Sequence, residues 1–136
     1  MARIFILWSE KYNTGIKEID DQHKKLVSIL NSLYESFVDR TTNEKIKSVV
    51  KEMADYTEYH FGVEEKYFKE FNYEGADEHM KEHRYFVSQV KEFQRDLEAG
   101  KISITFKLMN FLRSWLIEHI NGTDRKYIPL FKEKGL

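Results

Sequence analysis

Five histidines, His23, His60, His79, His83 and His119, are the side chains here best suited to chemistry, and their spacing is not random. His60 is followed four positions later by Glu64, and His79 by His83. Residues at i and i+4 of a helix share a face about one turn apart, so each pair can aim two ligand atoms at one point. His23 stands three residues before Leu26 and seven before Leu30, on the apolar stripe of its segment. His119 lies four residues after Trp115 and seven after Leu112, so it also faces inward. Asp124 is the remaining candidate. Five residues of regular helix would turn it about 140° away from His119, so both face inward only if the helix breaks between them. Asn121-Gly122 supplies that break.

A single inward histidine is most often a hydrogen-bonded core residue, and a single His-x-x-x-Glu pair is most often a surface contact. Five imidazoles and two carboxylates converging on one point form a ligand set. Two octahedral metals offer about twelve positions. The histidines, two bridging carboxylates (Glu64 and Asp124) and a bridging oxo or hydroxo group fill all but roughly one of them, which leaves room for a small ligand. Nitrogen-rich, oxygen-supplemented ligation suits iron, with zinc and copper allowed by donor type alone. His79-Met80-Lys81-Glu82-His83 also matches the H-x-x-E-H of some zinc peptidases. There Glu82 would be the general base, but it falls about 100° off the His79/His83 face and three histidines go unused. The Glu-x-x-His spacing of ferritin-like di-iron enzymes is absent, Asp20 before His23 being the nearest approach.

The elements that must position these groups read as helices throughout. The only proline is Pro129, and the glycines fall mostly between long periodic segments. The first helix is expected from near Asp20 to Asp39, with Glu18, Asp20 and Asp21 at its start and Leu26, Leu30, Leu33 and Phe37 on its apolar face. Thr41 with Glu44 forms a capping box for a second helix carrying Val49, Met53, Tyr56 and Val63, to end near Phe71. A turn at 72–75 leads into a third helix, Ala76 to Ala99, with Gly100 as its stop. Ser103 caps a fourth, and a short helical piece with Tyr127 and Phe131 closes the chain. The expected organisation is one domain over 1–136: an arm (1–18), bundle helices at 19–39, 42–71, 76–99 and 103–120, and a C-terminal helix at 124–134. The fold class is all-α, an antiparallel up-down-up-down four-helix bundle with an N-terminal arm and a short C-terminal helix. In that topology the start of helix one, the end of helix two, the start of helix three and the end of helix four lie at one end. These are the places where the ligand candidates stand.

The composition supports a single domain with one core: 136 residues, 41% hydrophobic and 15% aromatic. A net charge of −1, with 22 basic and 23 acidic residues, lacks the basic footprint of a nucleic-acid binder. The chain has no cysteine, which excludes disulfides, thiolate metal sites and iron–sulfur clusters and suits a reducing cytoplasm. The apolar run Ile4-Phe5-Ile6-Leu7-Trp8 after Arg3 is too short for a signal peptide or membrane span and is expected to pack on the domain as an arm. Gly62, inside helix two, costs about 1 kcal/mol against Ala and faces away from the ligands, so the site offers no reason for it. Tyr67-Phe68 adds bulk close after Glu64-Glu65.

The order lone His, His-x-x-x-Glu, His-x-x-x-His, His-x-x-x-x-Asp resembles the hemerythrin family, in particular its single-domain bacterial members, the bacteriohemerythrins. It is met by His23, His60/Glu64, His79/His83 and His119/Asp124. The similarity covers nearly the whole chain, including Trp8 and the run Ile19-Asp20-Asp21-Gln22-His23. The resemblance implies two iron ions (Fe2+/Fe3+) with an oxo or hydroxo bridge. One takes His79, His83 and His119. The other takes His23 and His60 and keeps the vacant position, with Glu64 and Asp124 bridging. It implies reversible dioxygen binding for storage, transport or delivery, the O2 held as hydroperoxide on one iron. Phe61, Phe86, Trp115, Leu116 and Ile120 fall where the family places the apolar lining of the O2 pocket.

Dioxygen is thus the expected ligand, a binding protein rather than an enzyme the expected class, and an oxygen-using enzyme a possible client. No nucleic acid and no membrane insertion are expected. The competing readings are a di-iron oxidase or peroxide or nitric oxide scavenger, which needs acid–base residues beyond the ligand set, and an oxygen or iron sensor, which needs a responding partner.

Overall fold

The computed structural model describes residues 6, 8–39, 43–100 and 104–136. Four long helices carry the fold: α1 (Lys17–Val38), α2 (Asn43–Glu70), α3 (Ala76–Glu98) and α4 (Ile104–Glu118). A single 3-10 turn, Glu10–Tyr12, precedes them. A π-helical segment, His119–Thr123, a 3-10 turn, Asp124–Lys126, and a short helix α5 (Ile128–Glu133) follow. Each long helix packs on its two neighbours, α1 on α2 and α4, and α3 on α2 and α4, so the four close into a ring. Thr41, Ser103, Ile4, Phe5 and Leu7 lie outside the described residues. Among those described, Ile6 is buried and is held by Asn31, whose side-chain amide bonds both its N–H and its C=O at 2.8 and 2.9 Å.

Helix α1 begins at Lys17, ahead of the expected start near Asp20. Ile16 occupies the N-cap and offers no side-chain bond. Asp20, in the first turn, leaves the helix end uncapped and instead anchors the preceding loop. Its carboxylate accepts from the Thr14 N–H (2.7 Å), the Thr14 hydroxyl (2.8 Å) and the Gly15 N–H (3.2 Å). Gly15 has φ +86, and a Cβ there would lie 2.6 Å from Lys132 Nζ. The loop is therefore pulled down onto α1 and the C-terminal segment together.

Helix α2 ends in a Schellman closure. Asn72 takes the left-handed conformation (φ 54), the Tyr73 N–H bonds the Phe68 carbonyl at 2.9 Å, and the Phe68 and Tyr73 rings meet at 5.0 Å. Helix α3 stops at Ala99, and Gly100 (φ 80) takes the position after it, as its glycine signal suggests.

The end of α4 differs from expectation. The helix does not break at Asn121-Gly122; it widens into the π turn His119–Thr123. The Asp124 N–H reaches the His119 carbonyl, a bond spanning five residues. A residue is thus accommodated without interrupting the helix, and positions five apart stack as positions four apart do in an α-helix.

The core has two parts. The larger fills the bundle interior with Leu30, Leu33, Val50, Met53, Leu108 and Leu112 among its members. The smaller, Ile16, Ile19, Phe68, Tyr127, Ile128 and Phe131, seals the end where the C-terminal segment crosses. Among the described residues no helix is long and apolar enough to cross a membrane.

Candidate metal centre

His23 comes from the first turns of α1, His60 and Glu64 from the second half of α2, and His79 and His83 from the start of α3. His119 opens the π segment and Asp124 follows it. All seven are buried, none more than 3% exposed. The structure brings the full set together. Ligand atoms of Glu64, His79, His83 and His119 lie within 4.8 Å of one another, as do those of His23, His60, Glu64 and Asp124. Glu64 belongs to both groups. Its Oε1 approaches His60 Nε2 (3.3 Å) and His83 Nε2 (3.2 Å), one from each side. Asp124 also reaches both, with Oδ2 at 2.9 Å from His23 Nε2 and Oδ1 at 3.0 Å from His79 Nε2 and His119 Nε2. Two carboxylates between two sets of imidazoles is the arrangement that joins two metal ions.

The donor atoms fit such ions. The Nε2 atoms of all five histidines, and both oxygens of Glu64 and Asp124, are buried with no hydrogen-bond partner. Burying so many polar atoms unpaired is strongly unfavourable, and cations in their midst would satisfy them together.

Three of the outward nitrogens show the complementary order, while those of His23 and His79 are buried without a hydrogen-bond partner. His60 Nδ1 donates to Gln22 Oε1 (2.5 Å), His83 Nδ1 to Glu65 Oε2 (3.0 Å) and His119 Nδ1 to Glu82 Oε1 (3.2 Å). A proton held on Nδ1 leaves the Nε2 lone pair aimed inward. Glu82 is fixed in turn by the Thr123 hydroxyl at 2.8 Å. It is tied up outside the cluster, which removes it as the general base of an H-x-x-E-H reading. Nothing in the residue spacing marks Gln22, Glu65 and Glu82 for these roles. Each adjoins a ligand candidate in sequence (His23, Glu64 and His83) but, across the helix packing, each serves a histidine of another element.

Burial lowers the His60 imidazole to about 4 and that of His83 to about 3, so both are neutral and free to ligate near pH 7. Burial also opposes charge on His119. Asp124 beside it, with Glu64 and the bond to Glu82, outweighs this and raises it to about 9, so without a metal its Nε2 also carries a proton, which a bound cation would displace. Burial and the charge of Asp124 push the Glu64 carboxyl up.

The five expected pocket residues, Phe61, Phe86, Trp115, Leu116 and Ile120, all line one internal cavity of about 20 Å³. A single water needs about 10–15 Å³ on the same measure, so the space suits a diatomic molecule. His23, His60, His119 and Asp124 form its metal-side wall. Leu26, Leu30, Met53, Thr57 and Leu112 complete the lining and were not singled out from the sequence, being ordinary members of the apolar stripes. Two lining aromatics also hold ligand rings in place. Phe61 stacks on His83 (3.7 Å, 5°) and Trp115 on His119 (4.3 Å, 14°). Phe68 and Tyr67 stay clear of the cavity. Phe68 packs edge-on against His79 (4.8 Å), and Tyr67 stacks on Phe71 and donates to Glu18 at 2.7 Å.

Comparison with known proteins agrees. Residues 14–131 match the family model described as the hemerythrin HHE cation binding domain. The chain is 32% identical over 123 residues to a bacteriohemerythrin of Pseudomonas aeruginosa (strain LESB58), covering 90% of this chain and 79% of that one. It is 33% identical over 129 residues to a bacteriohemerythrin of Stenotrophomonas maltophilia (strain R551-3), covering 93% and 82%. A crystal structure of wild-type hemerythrin superimposes with a TM-score of 0.86 at 26% identity, over 93% of this chain and 97% of that one. With the fold, the buried donor set and the matched residues in agreement, this chain belongs to the hemerythrin family of metal-binding four-helix domains.

Proposed function

We propose that the protein reversibly binds dioxygen, for storage, transport or delivery, at a pair of non-haem irons. His79, His83 and His119 would hold one iron, His23 and His60 the other, with Glu64 and Asp124 shared. The observation that carries this reading is where the cavity lies. Both histidines of the two-histidine set line it, whereas only His119 of the three-histidine set does. The apolar space therefore meets the half with fewer protein donors, where a small ligand has a position to take. The two irons would supply the electrons that dioxygen takes up on binding and returns on release. The chain's own contribution is the surroundings. Phe61, Phe86, Trp115, Leu116 and Ile120 exclude water and anions, which slows irreversible oxidation. The bonds from His60, His83 and His119 to their outer partners hold the ligand rings in one orientation. A cytoplasmic protein supplying an oxygen-using enzyme is the setting this reading favours.

The test is to load the protein anaerobically with ferrous iron and follow the visible spectrum through cycles of air and vacuum. A charge-transfer band that appears with air and vanishes under vacuum, at two irons per chain, supports the reading. Irreversible conversion to a plain ferric spectrum overturns it in favour of an oxidase or sensor.

A further inference from the structure

Thr57 and Phe86 line the internal cavity, and the same two residues line a groove on the outside of the bundle between α2 and α3. Here one layer of side chains separates the interior from the surface. The groove has an apolar floor, Ala54, Val87 and Val90, and a polar rim that includes Lys51 and Gln94. Phe86 is pinned in this wall, its ring 4.3 Å from Trp115 and stacked on Phe111 at 5.9 Å. Phe61 also stands between the cavity and a neighbouring groove, but its ring lies flat on His83. Thr57 is the small member of the wall.

Thr57 is 2% exposed and its hydroxyl has no hydrogen-bond partner. A valine would fill the same volume without burying an unpaired polar atom, so packing alone does not account for a threonine here. Valine in a helix is held almost entirely in one rotamer. Threonine divides between two, because its hydroxyl can turn to bond a carbonyl one turn back. A residue shared by the cavity and the groove is therefore a side chain with two accessible positions.

We propose that Thr57 gates the passage of small apolar ligands between the α2/α3 groove and the internal cavity. The identity of the ligand as dioxygen rests on the function proposed above; the passage itself does not.

Two measurements on full-length variants decide the matter. Trp115 lines the cavity, and replacing the other tryptophan (Trp8→Phe) makes it the sole indole emitter. In this background, loaded with redox-silent zinc, dissolved dioxygen quenches Trp115 emission both from solvent, at the ring's partly exposed edge, and from within the cavity, and only the second part depends on the passage. Thr57→Ala is expected to raise that part of the quenching constant several-fold, Thr57→Ser to raise it less, and Thr57→Ile to lower it. In the iron-loaded protein the association and dissociation rates of dioxygen should move together in the same directions, leaving the Kd unchanged. That pairing marks a gate, because a residue touching the bound ligand would alter the Kd. Quenching constants unmoved by Thr57→Ala and Thr57→Ser, or a changed Kd with only one rate altered, overturns the gate. If iron-loaded protein fails to bind dioxygen reversibly, the functional reading falls while the quenching result still judges Thr57.

Discussion

The ligand histidines owe their readiness to residues outside the cluster. Glu82 carries the clearest case, because it holds His119 Nδ1 and the Thr123 hydroxyl at once, across from α3 to the π segment. Replacing Glu82 with Ala leaves every ligand in place but frees the His119 ring. Metal affinity should fall about 10- to 100-fold, read by competition with a chelator. An unchanged affinity would show that the stacking of Trp115 alone orients the ring. Gly62 is the opposite case. A Cβ built there meets nothing within 4 Å, and nothing in the structure explains the glycine. Gly62→Ala should therefore stabilise the protein by about 1 kcal/mol in chemical denaturation with metal binding unaltered.

At the scale of elements, the π segment is the device that completes the site. It allows His119 and Asp124, five apart, to point the same way while the helix continues. One further alanine inserted between Gly122 and Thr123 would turn Asp124 by about 100° away from His23, His79 and His119. The expected result is a protein that remains helical by circular dichroism and no longer retains two metals per chain. Full metal loading in that variant would mean Asp124 is dispensable. The start of α1 shows the same dependence on a local device. Asp20 anchors the preceding loop from inside the helix, which seats the arm and the C-terminal segment on the end of the bundle nearest the cluster.

For the whole molecule, the cluster sits between the two cores and exchanges stability with whatever fills it. The buried donor set is assembled only in the folded chain, so a metal held there should favour folding and chelation should lower the Tm. The metal-free protein should then show a pH optimum. His60 and His83, at about 4 and about 3, lie below their ordinary value of 6.5. The unfolded chain therefore takes up those protons first, and stability falls as pH drops from about 6.5 toward 4. His119, raised to about 9, contributes stability below its ordinary value of 6.5 and loses it as pH rises through 9. Thermal melts of chelated protein should peak near neutrality and decline on both sides. A Tm that rises steadily from pH 4 to 9 would contradict this.

What the sequence by itself determined is what periodicity and residue type can carry: the helical class, the bundle, and the convergence of His23, His60, Glu64, His79, His83, His119 and Asp124. Spacings of four place pairs on one face, and antiparallel order brings the ends together, so no long-range detail was needed. Gly100 was legible as a helix stop for the same local reason. The tertiary structure decided what depends on partners distant in the chain. Gln22 lies on α1 beside His23 but serves His60 on α2, and Glu82 lies beside His83 but serves His119, because helix packing, not sequence adjacency, sets which side chains meet. Asn121-Gly122 looked like a break because both residues are common in breaks. Backbone hydrogen bonding resolved the extra residue as a π turn instead. Thr57 was invisible within an apolar stripe until two helices and a cavity were assembled around it.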